Sequence, residues 1–339
     1  MTQVVADGQA SVRRPRVGFL GVGWIGHHRM KAIVETGAVD VAAIADPSAE
    51  MAAQAGRLAP AAQLVATLDD LLDAGVDGVV IATPTALHAE QSIRALERGV
   101  AVFCQKPLGR TVDEVRAVVN AARAADRLLA VDFSYRFIEG MRQICDLVRG
   151  GELGRVYAVD LVFHNAYGPD KPWFHDRELA GGGCVMDLGV HLVDLALWVL
   201  DFPAVSGVSA KLFANGMPLG LRPDQVEDYA VATLELATGE AVQIACSWRL
   251  PAGSDAIISA AFYGTDGGAA LRNVNGSFYD FVAERYRGTA RETLATPPDA
   301  WGGRAAADWA VRLAAGARFD PATERIVEVA DVLDRIYGR

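Results

Sequence analysis

Two residues suited to acid–base chemistry, Asp187 and His191, stand four positions apart after the glycine run 181–183. Residues at i and i+4 of a helix share one face, so a helix here would present carboxylate and imidazole together. An imidazole titrates near neutral pH and, beside a carboxylate, suits proton transfer to or from a hydroxyl. The structural alternative is a core histidine paired with a carboxylate. A metal site is less favoured, because only Asp194 adds a third ligand near that face.

Lys106 is a second residue with chemical potential. It precedes Pro107 and follows the apolar run Ala101–Cys104, which is typical of a buried strand. The chain has only four lysines, so chance is a weaker explanation for one at this place. An ammonium at a strand end can carry a proton or donate to a substrate oxygen. The alternative is a surface lysine that happens to end a strand.

The segment 21–26 reads GVGWIG and joins an apolar run to a helical pattern, which is the context of the dinucleotide-binding fingerprint. In that fingerprint the first glycine allows a tight turn, the second admits a pyrophosphate and the third lets the helix pack closely. Backbone N–H groups at the helix start face the phosphates. The cofactor-binding residues predicted here are Gly21, Gly23, Trp24, Ile25 and Gly26.

Asp46 follows Gly26 by 20 residues, at the end of the second apolar run. A carboxylate there can bind a ribose 2′-hydroxyl and would repel a 2′-phosphate. The pattern therefore predicts NAD as cofactor and disfavours NADP. The alternative is a structural glycine turn followed by a solvated aspartate.

A further candidate segment, Thr83–His88, follows the fourth predicted strand. Ligands of doubly wound folds bind at this carboxyl edge of the sheet. We expect Thr83 and Pro84 to contact the nicotinamide half of the cofactor and His88 to line the helix start. For His88 a plain strand-to-helix turn explains the sequence equally well.

Strand and helix patterns alternate about six times between Arg16 and Phe133, with short connections. This predicts a doubly wound parallel sheet, a Rossmann domain over residues 16–136. Residues 137–339 instead show alternating apolar runs and tight turns, which predict an α+β domain with a large, open, mainly antiparallel sheet. We expect residues 1–15 to form a disordered arm and the final helix, 321–337, to pack back on the first domain.

Composition excludes several classes of protein. The 339 residues are 51% hydrophobic and 22% charged, with a net charge of −10. This balance is that of a folded protein, and the acidity argues against nucleic-acid or membrane binding. The four cysteines are widely spaced, so neither a cysteine-rich zinc site nor a disulfide framework is expected. We find no signal sequence or membrane-spanning pattern and expect a cytoplasmic protein.

Four motifs, taken in this order and spacing, resemble the glucose–fructose oxidoreductase/inositol dehydrogenase/MocA (Gfo/Idh/MocA) family: Gly21–Gly26, Thr83–His88, Lys106–Pro107 and Gly181–His191. The resemblance covers nearly the whole chain. It implies reversible hydride transfer between a nicotinamide and a secondary alcohol carbon of a cyclitol or sugar. It also implies a homodimer or homotetramer formed through the antiparallel sheet.

The resemblance assigns catalytic roles by motif. His191 would take the hydroxyl proton, Lys106 would hydrogen-bond the reacting oxygen, and Asp187 would bind a neighbouring hydroxyl. One position departs from the family, which usually has Glu before Lys-Pro, whereas this chain has Gln105. Glutamine can still bind a ribose hydroxyl but supplies no negative charge. The Lys106–Pro107 bond is cis in related enzymes.

Residues that could contact substrate are less strongly marked. Polar side chains and one aromatic face would suit a polyhydroxylated ring, and Arg136, His164, Asn165 and Trp173 are the candidates. Each has a surface loop or structural position as its alternative.

The leading function is an NAD-dependent sugar or cyclitol dehydrogenase. The alternatives are a keto-sugar reductase, a non-catalytic NAD-binding sensor and, ranked low, an NAD-assisted glycosidase.

Overall fold

Six short apolar runs form a fully parallel sheet, in a computed structural model that describes residues 13–221 and 225–339. Most of the predicted arm therefore lies outside the described residues. The order β3-β2-β1-β4-β5-β6 reverses direction beside β1, which creates a crevice at the carboxyl edge. The strands are β1 Arg16–Leu20, β2 Asp40–Ala45, β3 Gln63–Val65, β4 Gly78–Ile81, β5 Ala101–Cys104 and β6 Leu129–Val131.

The connecting helices begin where polar side chains can cap them. Ser48, Thr67 and Thr111 each accept a hydrogen bond from a backbone N–H in the first turn of the helix that follows. The first and fourth helices differ, since they begin after Gly23 and Pro84 without a side-chain cap among the described residues. The helices are α1 Trp24–Glu35, α2 Ala49–Gly56, α3 Leu68–Asp73, α4 Thr85–Glu97 and α5 Val112–Ala125.

The second sheet has nine strands and is mixed. Neighbours pair antiparallel except β7 with β11, which run parallel. The expected α+β domain with a mainly antiparallel sheet is confirmed. The strands are β7 Val156–Asn165, β8 Val205–Ala214, β9 Met217–Pro218, β10 Tyr229–Leu236, β11 Ala241–Ser247, β12 Ala256–Gly264, β13 Gly268–Asn273, β14 Phe281–Arg287 and β15 Ala290–Ala295.

One face of this sheet is covered by helices. The central one starts with a π-helical turn, Val185–Gly189, and continues directly as an α-helix. Contrary to the expectation from sequence, one stretch, Arg177–Val199, is long and apolar enough to cross a bilayer, but 89% of its most apolar part is buried inside the protein. It is therefore a core helix. The helices of this layer are α6 Glu139–Arg149 and α8 Val190–Val199, whereas the short α7 Arg177–Ala180 packs on α4.

Two carboxyl-terminal helices, α9 Arg304–Ala314 and α10 Arg325–Ile336, tie the layers together. Trp309 of α9 is fully buried and packs on Phe103 of β5, with ring centroids 5.9 Å apart. Asp334 of α10 accepts a hydrogen bond from the backbone of Val112 at 2.9 Å. Helix α9 thus packs on the first sheet, whereas α10 packs on α5 beside that sheet and also contacts α8 and β8.

Candidate active site

A cavity of about 720 Å³ lies between the carboxyl edge of the parallel sheet and the start of the central helix. Its wall includes Gly23 of the glycine turn and the acid–base side chains Lys106, Asp187 and His191. The structure therefore brings together residues that are widely separated in sequence. The predicted residues in its lining are Gly23, Trp24, Ile25, Thr83, Pro84, His88, Gln105, Lys106, Trp173, Asp187 and His191.

The three glycines of the turn differ in their surroundings. Gly21 has φ +82, and a Cβ there would lie 2.6 Å from the carbonyl oxygen of Ala82. A Cβ on Gly26 would lie 2.1 Å from the carbonyl oxygen of Gly21. A Cβ on Gly23 would meet no heavy atom of the described residues within 4 Å. The turn is therefore tight on both sides and open at Gly23, where the start of α1 can receive a phosphate.

Asp46 lies just after β2 and outside the lining of this cavity. Its Oδ2 accepts from the backbone N–H of Val22 at 2.7 Å, and its Oδ1 accepts from that of Ser48 at 2.8 Å. The carboxylate thus joins the glycine turn to the segment before α2. Each carboxylate oxygen retains a further lone pair for a ribose hydroxyl.

Lys106 and Asp187 form an ion pair in the cavity wall. The Lys106 Nζ donates to Asp187 Oδ1 at 2.8 Å and to the Asp187 carbonyl oxygen at 2.7 Å. Trp248, just after β11, donates from its indole Nε1 to Asp187 Oδ2 at 3.1 Å. Both charged side chains remain 18% exposed, so the pair is fixed but reachable from the cavity. The peptide bond between Lys106 and Pro107 is cis.

His191 lies on α8 beside this pair and is buried. Its ring packs on that of Tyr135, with centroids 4.8 Å apart. Its Nδ1 has no hydrogen-bond partner within residues 13–221 and 225–339. Burial, and secondly the positive charges of Lys106 and Arg29, hold the pKa of His191 well below its usual value. A neutral imidazole in this place can accept a proton.

A buried glutamate, which sequence reasoning missed, anchors the π-helical turn. Glu227 Oε1 accepts from the backbone N–H groups of Gly183 and Val185, both at 2.9 Å, and from the Tyr337 hydroxyl at 2.7 Å. Burial raises the pKa of Glu227, and these hydrogen bonds oppose the rise. The contact fixes the turn that carries Asp187. Nothing in the local sequence around position 227 marks it as a partner of that turn.

The segment Thr83–His88, after β4, holds the Lys106–Pro107 segment in place. His88 is buried, and its ring nitrogens lie 2.8 Å from the Pro107 carbonyl oxygen and 2.7 Å from that of Thr83. Burial lowers the pKa of His88, and those two carbonyl contacts partly oppose the effect. The Thr83 hydroxyl donates to Gln91 at 2.6 Å. His88 therefore links the strand end to the Lys106–Pro107 segment.

The remaining predicted substrate contacts divide into two groups. Trp173 lines the cavity and stacks on Phe174, with ring centroids 3.8 Å apart. Arg136 lies outside the cavity lining and forms an ion pair with the buried carboxylate of Asp194. Its guanidinium also stacks on the ring of Phe133. The structure thus gives Arg136 a structural partner.

His164 and Asn165 also lie outside the cavity lining. His164 is on the sheet face away from the helices, where its ring stacks on Tyr229 and its Nδ1 lies 2.8 Å from the Ser247 hydroxyl. Asn165 Oδ1 accepts from the backbone N–H of Tyr167 at 2.8 Å in a local turn. The reason is strand periodicity, since Phe163 faces the core and its neighbour must face outward.

The fold and this cavity define a class of two-domain oxidoreductases that bind a dinucleotide. Residues 15–133 match the family description "Oxidoreductase family, NAD-binding Rossmann fold", and residues 141–270 match "GFO/IDH/MocA C-terminal domain". The chain belongs to the Gfo/Idh/MocA oxidoreductase family. The resemblance stated from the four motifs is confirmed.

Relatives of known name support this assignment. D-Glucoside 3-dehydrogenase of Escherichia coli is 32% identical over 59% of this chain and 60% of its own length. Rhizopine catabolism protein MocA of Rhizobium meliloti is 31% identical over 76% of this chain and 78% of its own. The crystal structure of GenD2 from gentamicin A biosynthesis, in complex with NAD, is 25% identical. The structural alignment covers 99% of this chain and 97% of the GenD2 chain, with a TM-score of 0.80.

The residues present fit NAD. The open space at Gly23 accommodates a phosphate at the start of α1, and Asp46 stands beside the same turn. Lys106 and His191 line the same cavity as Gly23. The described residues contain no cluster of three or more His, Cys, Asp or Glu that could hold a metal ion.

Proposed function

We propose that this protein is an NAD-dependent dehydrogenase that oxidises a secondary alcohol of a sugar or cyclitol. One observation carries the proposal. The Lys106–Asp187 pair and the neutral imidazole of His191 line the same cavity as the open phosphate cradle at Gly23. Proton carriers and a dinucleotide site in one cavity are what alcohol oxidation requires.

The roles of the residues follow from their chemistry. NAD, when bound, supplies the hydride acceptor. His191 takes the hydroxyl proton of the substrate, because its imidazole is neutral. The Lys106 ammonium donates a hydrogen bond to the same oxygen and favours its alkoxide form. Asp187 keeps Lys106 in place and accepts from a neighbouring hydroxyl.

The substrate class is supported by the relatives and by the wall of the cavity. One relative is named for oxidation of a D-glucoside, and a solved relative belongs to the biosynthesis of gentamicin A. Trp173 and Phe174 give the cavity an aromatic face, on which the C–H face of a ring can pack. Run in reverse with NADH, the same groups would reduce a keto-sugar.

The preference for NAD over NADP is part of the proposal. A 2′-phosphate would meet the negative charge of Asp46 at the end of β2. We expect Asp46→Ala to narrow the ratio of NAD to NADP turnover by at least about tenfold, which is ~1.4 kcal/mol. Steady-state kinetics with both cofactors measure the ratio. An unchanged ratio in the variant would refute this role.

The direct test is the absorbance of reduced nicotinamide during incubation with NAD and a panel of inositols, glucosides and amino-cyclitols. We expect a rise with at least one of them. Lys106→Ala should remove the rise while NADH still binds, since the ammonium stabilises the alkoxide. The reverse reaction is followed with NADH and the corresponding ketones. Confirmed NAD binding without turnover in either direction would argue against the dehydrogenase.

A further inference from the structure

A buried polar cluster lines the same cavity as Gly23 and Lys106. It consists of Arg29 from α1, Gln105 from the end of β5 and Asp132 from the end of β6. Asp132 Oδ2 accepts from Arg29 Nε and from Gln105 Nε2, both at 2.5 Å. The three residues are only 6%, 6% and 1% exposed, and all three line the cavity.

The cluster leaves one acceptor unpaired. Both donors reach the same oxygen of Asp132, and its Oδ1 has no hydrogen-bond partner among the described residues. A buried carboxylate oxygen without a donor is unfavourable, and native structures pair such atoms with protein, water or ligand. Because the residue lines the cavity, a bound ligand is the natural source of the missing donor.

The position of the cluster identifies that ligand group. The pyrophosphate belongs at Gly23, and the hydride-accepting carbon belongs near Lys106 and His191. Gln105 precedes Lys106 in the chain, while Arg29 lies on the helix that begins after Gly23. The part of the cofactor that spans this interval is the nicotinamide riboside. Its ribose hydroxyls and carboxamide NH₂ are hydrogen-bond donors.

We propose that Asp132, positioned by Arg29 and Gln105, is the carboxylate that binds the nicotinamide riboside in this protein. The inference rests on the proposed NAD-dependent function. It also accounts for Gln105, which stands where the family usually has Glu. The negative charge is present in the site, but Asp132, after the neighbouring strand β6, carries it. Gln105 holds that carboxylate through its hydrogen bond.

The arrangement has a consequence for the charge of the cofactor. Asp132 and Arg29 compensate each other next to the nicotinamide, whose ring is cationic in NAD⁺ and neutral in NADH. Loss of the Asp132 charge would leave Arg29 uncompensated beside the ring. The affinity for NAD⁺ should then fall more than the affinity for NADH, which a purely structural role of Asp132 does not predict.

The test measures cofactor binding in the absence of substrate, by calorimetry for NAD⁺ and by fluorescence titration for NADH. We expect Asp132→Asn to raise the Kd for NADH about tenfold and the Kd for NAD⁺ further, from loss of a charged hydrogen bond. The double variant Q105E/D132N restores a carboxylate in the cluster and a counter-charge for Arg29. It should bring both Kd values back to within about threefold of the parent.

The matched control is Asp194→Asn. Asp194 is as buried as Asp132 and pairs with Arg136 outside the cavity lining, so this variant should lower the Tm and leave both Kd values unchanged. A folded D132N with parental Kd values, or a folded double variant that binds as weakly as D132N, would overturn the assignment. If the parent binds neither NAD⁺ nor NADH, the proposed function fails as well, and the two failures are thereby distinguished.

Discussion

At the scale of single residues, Gly23 and Gly26 make opposite demands although both belong to one turn. An alanine Cβ at position 23 meets no described atom within 4 Å, whereas at position 26 it meets the Gly21 carbonyl oxygen at 2.1 Å. The free volume at Gly23 leaves room for a ligand, whereas the lack of a side chain at Gly26 allows close packing of the turn. The two functions can therefore be separated by substitution.

We predict that Gly23→Ala changes the free energy of unfolding by less than about 1 kcal/mol but weakens NADH binding at least about tenfold. Gly26→Ala should instead lower the free energy of unfolding by about 1–3 kcal/mol, because backbone must shift to relieve the contact. Urea unfolding without cofactor and NADH fluorescence titration measure the two effects. Parental NADH affinity in Gly23→Ala would show that the pyrophosphate does not lie at this turn.

The second prediction concerns the pH dependence of His191. Its pKa in the folded protein is held well below 6.5 by burial and by the charges of Lys106 and Arg29. The imidazole therefore stays neutral and able to accept a proton below pH 6.5. The acid limb of kcat/KM for alcohol oxidation should lie below that pH and should change in His191→Asn. A limb centred at or above 6.5 that survives in the variant would contradict the assignment.

The same shift has a sign for stability. As pH falls below 6.5, the unfolded chain binds a proton at His191 before the folded protein does. Since the unfolded state then holds more protons, the free energy of unfolding falls with pH in that window. His28, His88 and His164 act in the same direction, because burial is the first cause that lowers the pKa of each. In thermal unfolding, the decrease in Tm on acidification should be smaller for His191→Asn than for the parent protein.

Motif residues proved easier to predict than their partners. The acid–base spacing of Asp187 and His191 and the position of Lys106 were visible in sequence, and the structure places all three in one cavity. The partners Trp248 and Asp132 come from other strands, and long-range pairing leaves no local pattern. For His164, the sequence could not show which face of the sheet the side chain occupies. The register of β7 decides this, and the half-buried pattern of that strand does not reveal the register.

At the scale of elements, the turn that carries Asp187 depends on the carboxyl-terminal helix. Glu227 Oε1 holds the N–H groups of Gly183 and Val185 and also accepts from the Tyr337 hydroxyl. A Cβ on Gly182 would lie 2.0 Å from that hydroxyl oxygen, so glycine is required for the tyrosine to reach the glutamate. At Gly182 the glycine run therefore allows close packing of Tyr337, and the ligand of this contact is the protein itself.

We predict that Tyr337→Phe lowers the free energy of unfolding by about 1–3 kcal/mol, the effect of losing a hydrogen bond to a carboxylate. It should also reduce kcat, because the π-helical turn that positions Asp187 loses part of its anchor. Tyr157→Phe, at an exposed tyrosine, is the matched control and should change neither quantity. Urea unfolding and steady-state kinetics measure both. A Tyr337→Phe variant with parental stability and kcat would show that the anchor is dispensable.

The elements themselves were predictable to different degrees. All six parallel strands were visible in the sequence; five are largely buried apolar runs, whereas the short β3 is exposed or half-buried. Helix α9 was not assigned from the sequence, although one of its faces is apolar and packs on the first sheet through Trp309. The parallel pairing of β7 with β11 was also missed, since sequence alternation does not distinguish strand direction.

At the scale of the whole molecule, the helices of residues 13–221 and 225–339 pack on only one face of the nine-stranded sheet. Its other face carries Ile257 and Tyr263 of β12, which are 38% and 36% exposed, together with the half-buried Val162, Phe213 and Val231 of neighbouring strands. Exposed apolar side chains on a sheet face that no helix covers mark a surface for contact with another protein. A second copy of the chain is the simplest cover, since most soluble oligomers are symmetric assemblies of identical chains.

We therefore predict a homo-oligomer formed through this face. Light scattering after size exclusion should give a multiple of the 36.0 kDa chain mass at micromolar concentration. Ile257→Glu places a charge on this face and should shift the protein towards the monomer, because an unpaired buried charge is costly. Val311→Glu, at a 51% exposed position of α9, is the matched control and should leave the mass unchanged. A monomeric parent, or dissociation by the α9 variant alone, would assign the exposed face a different role.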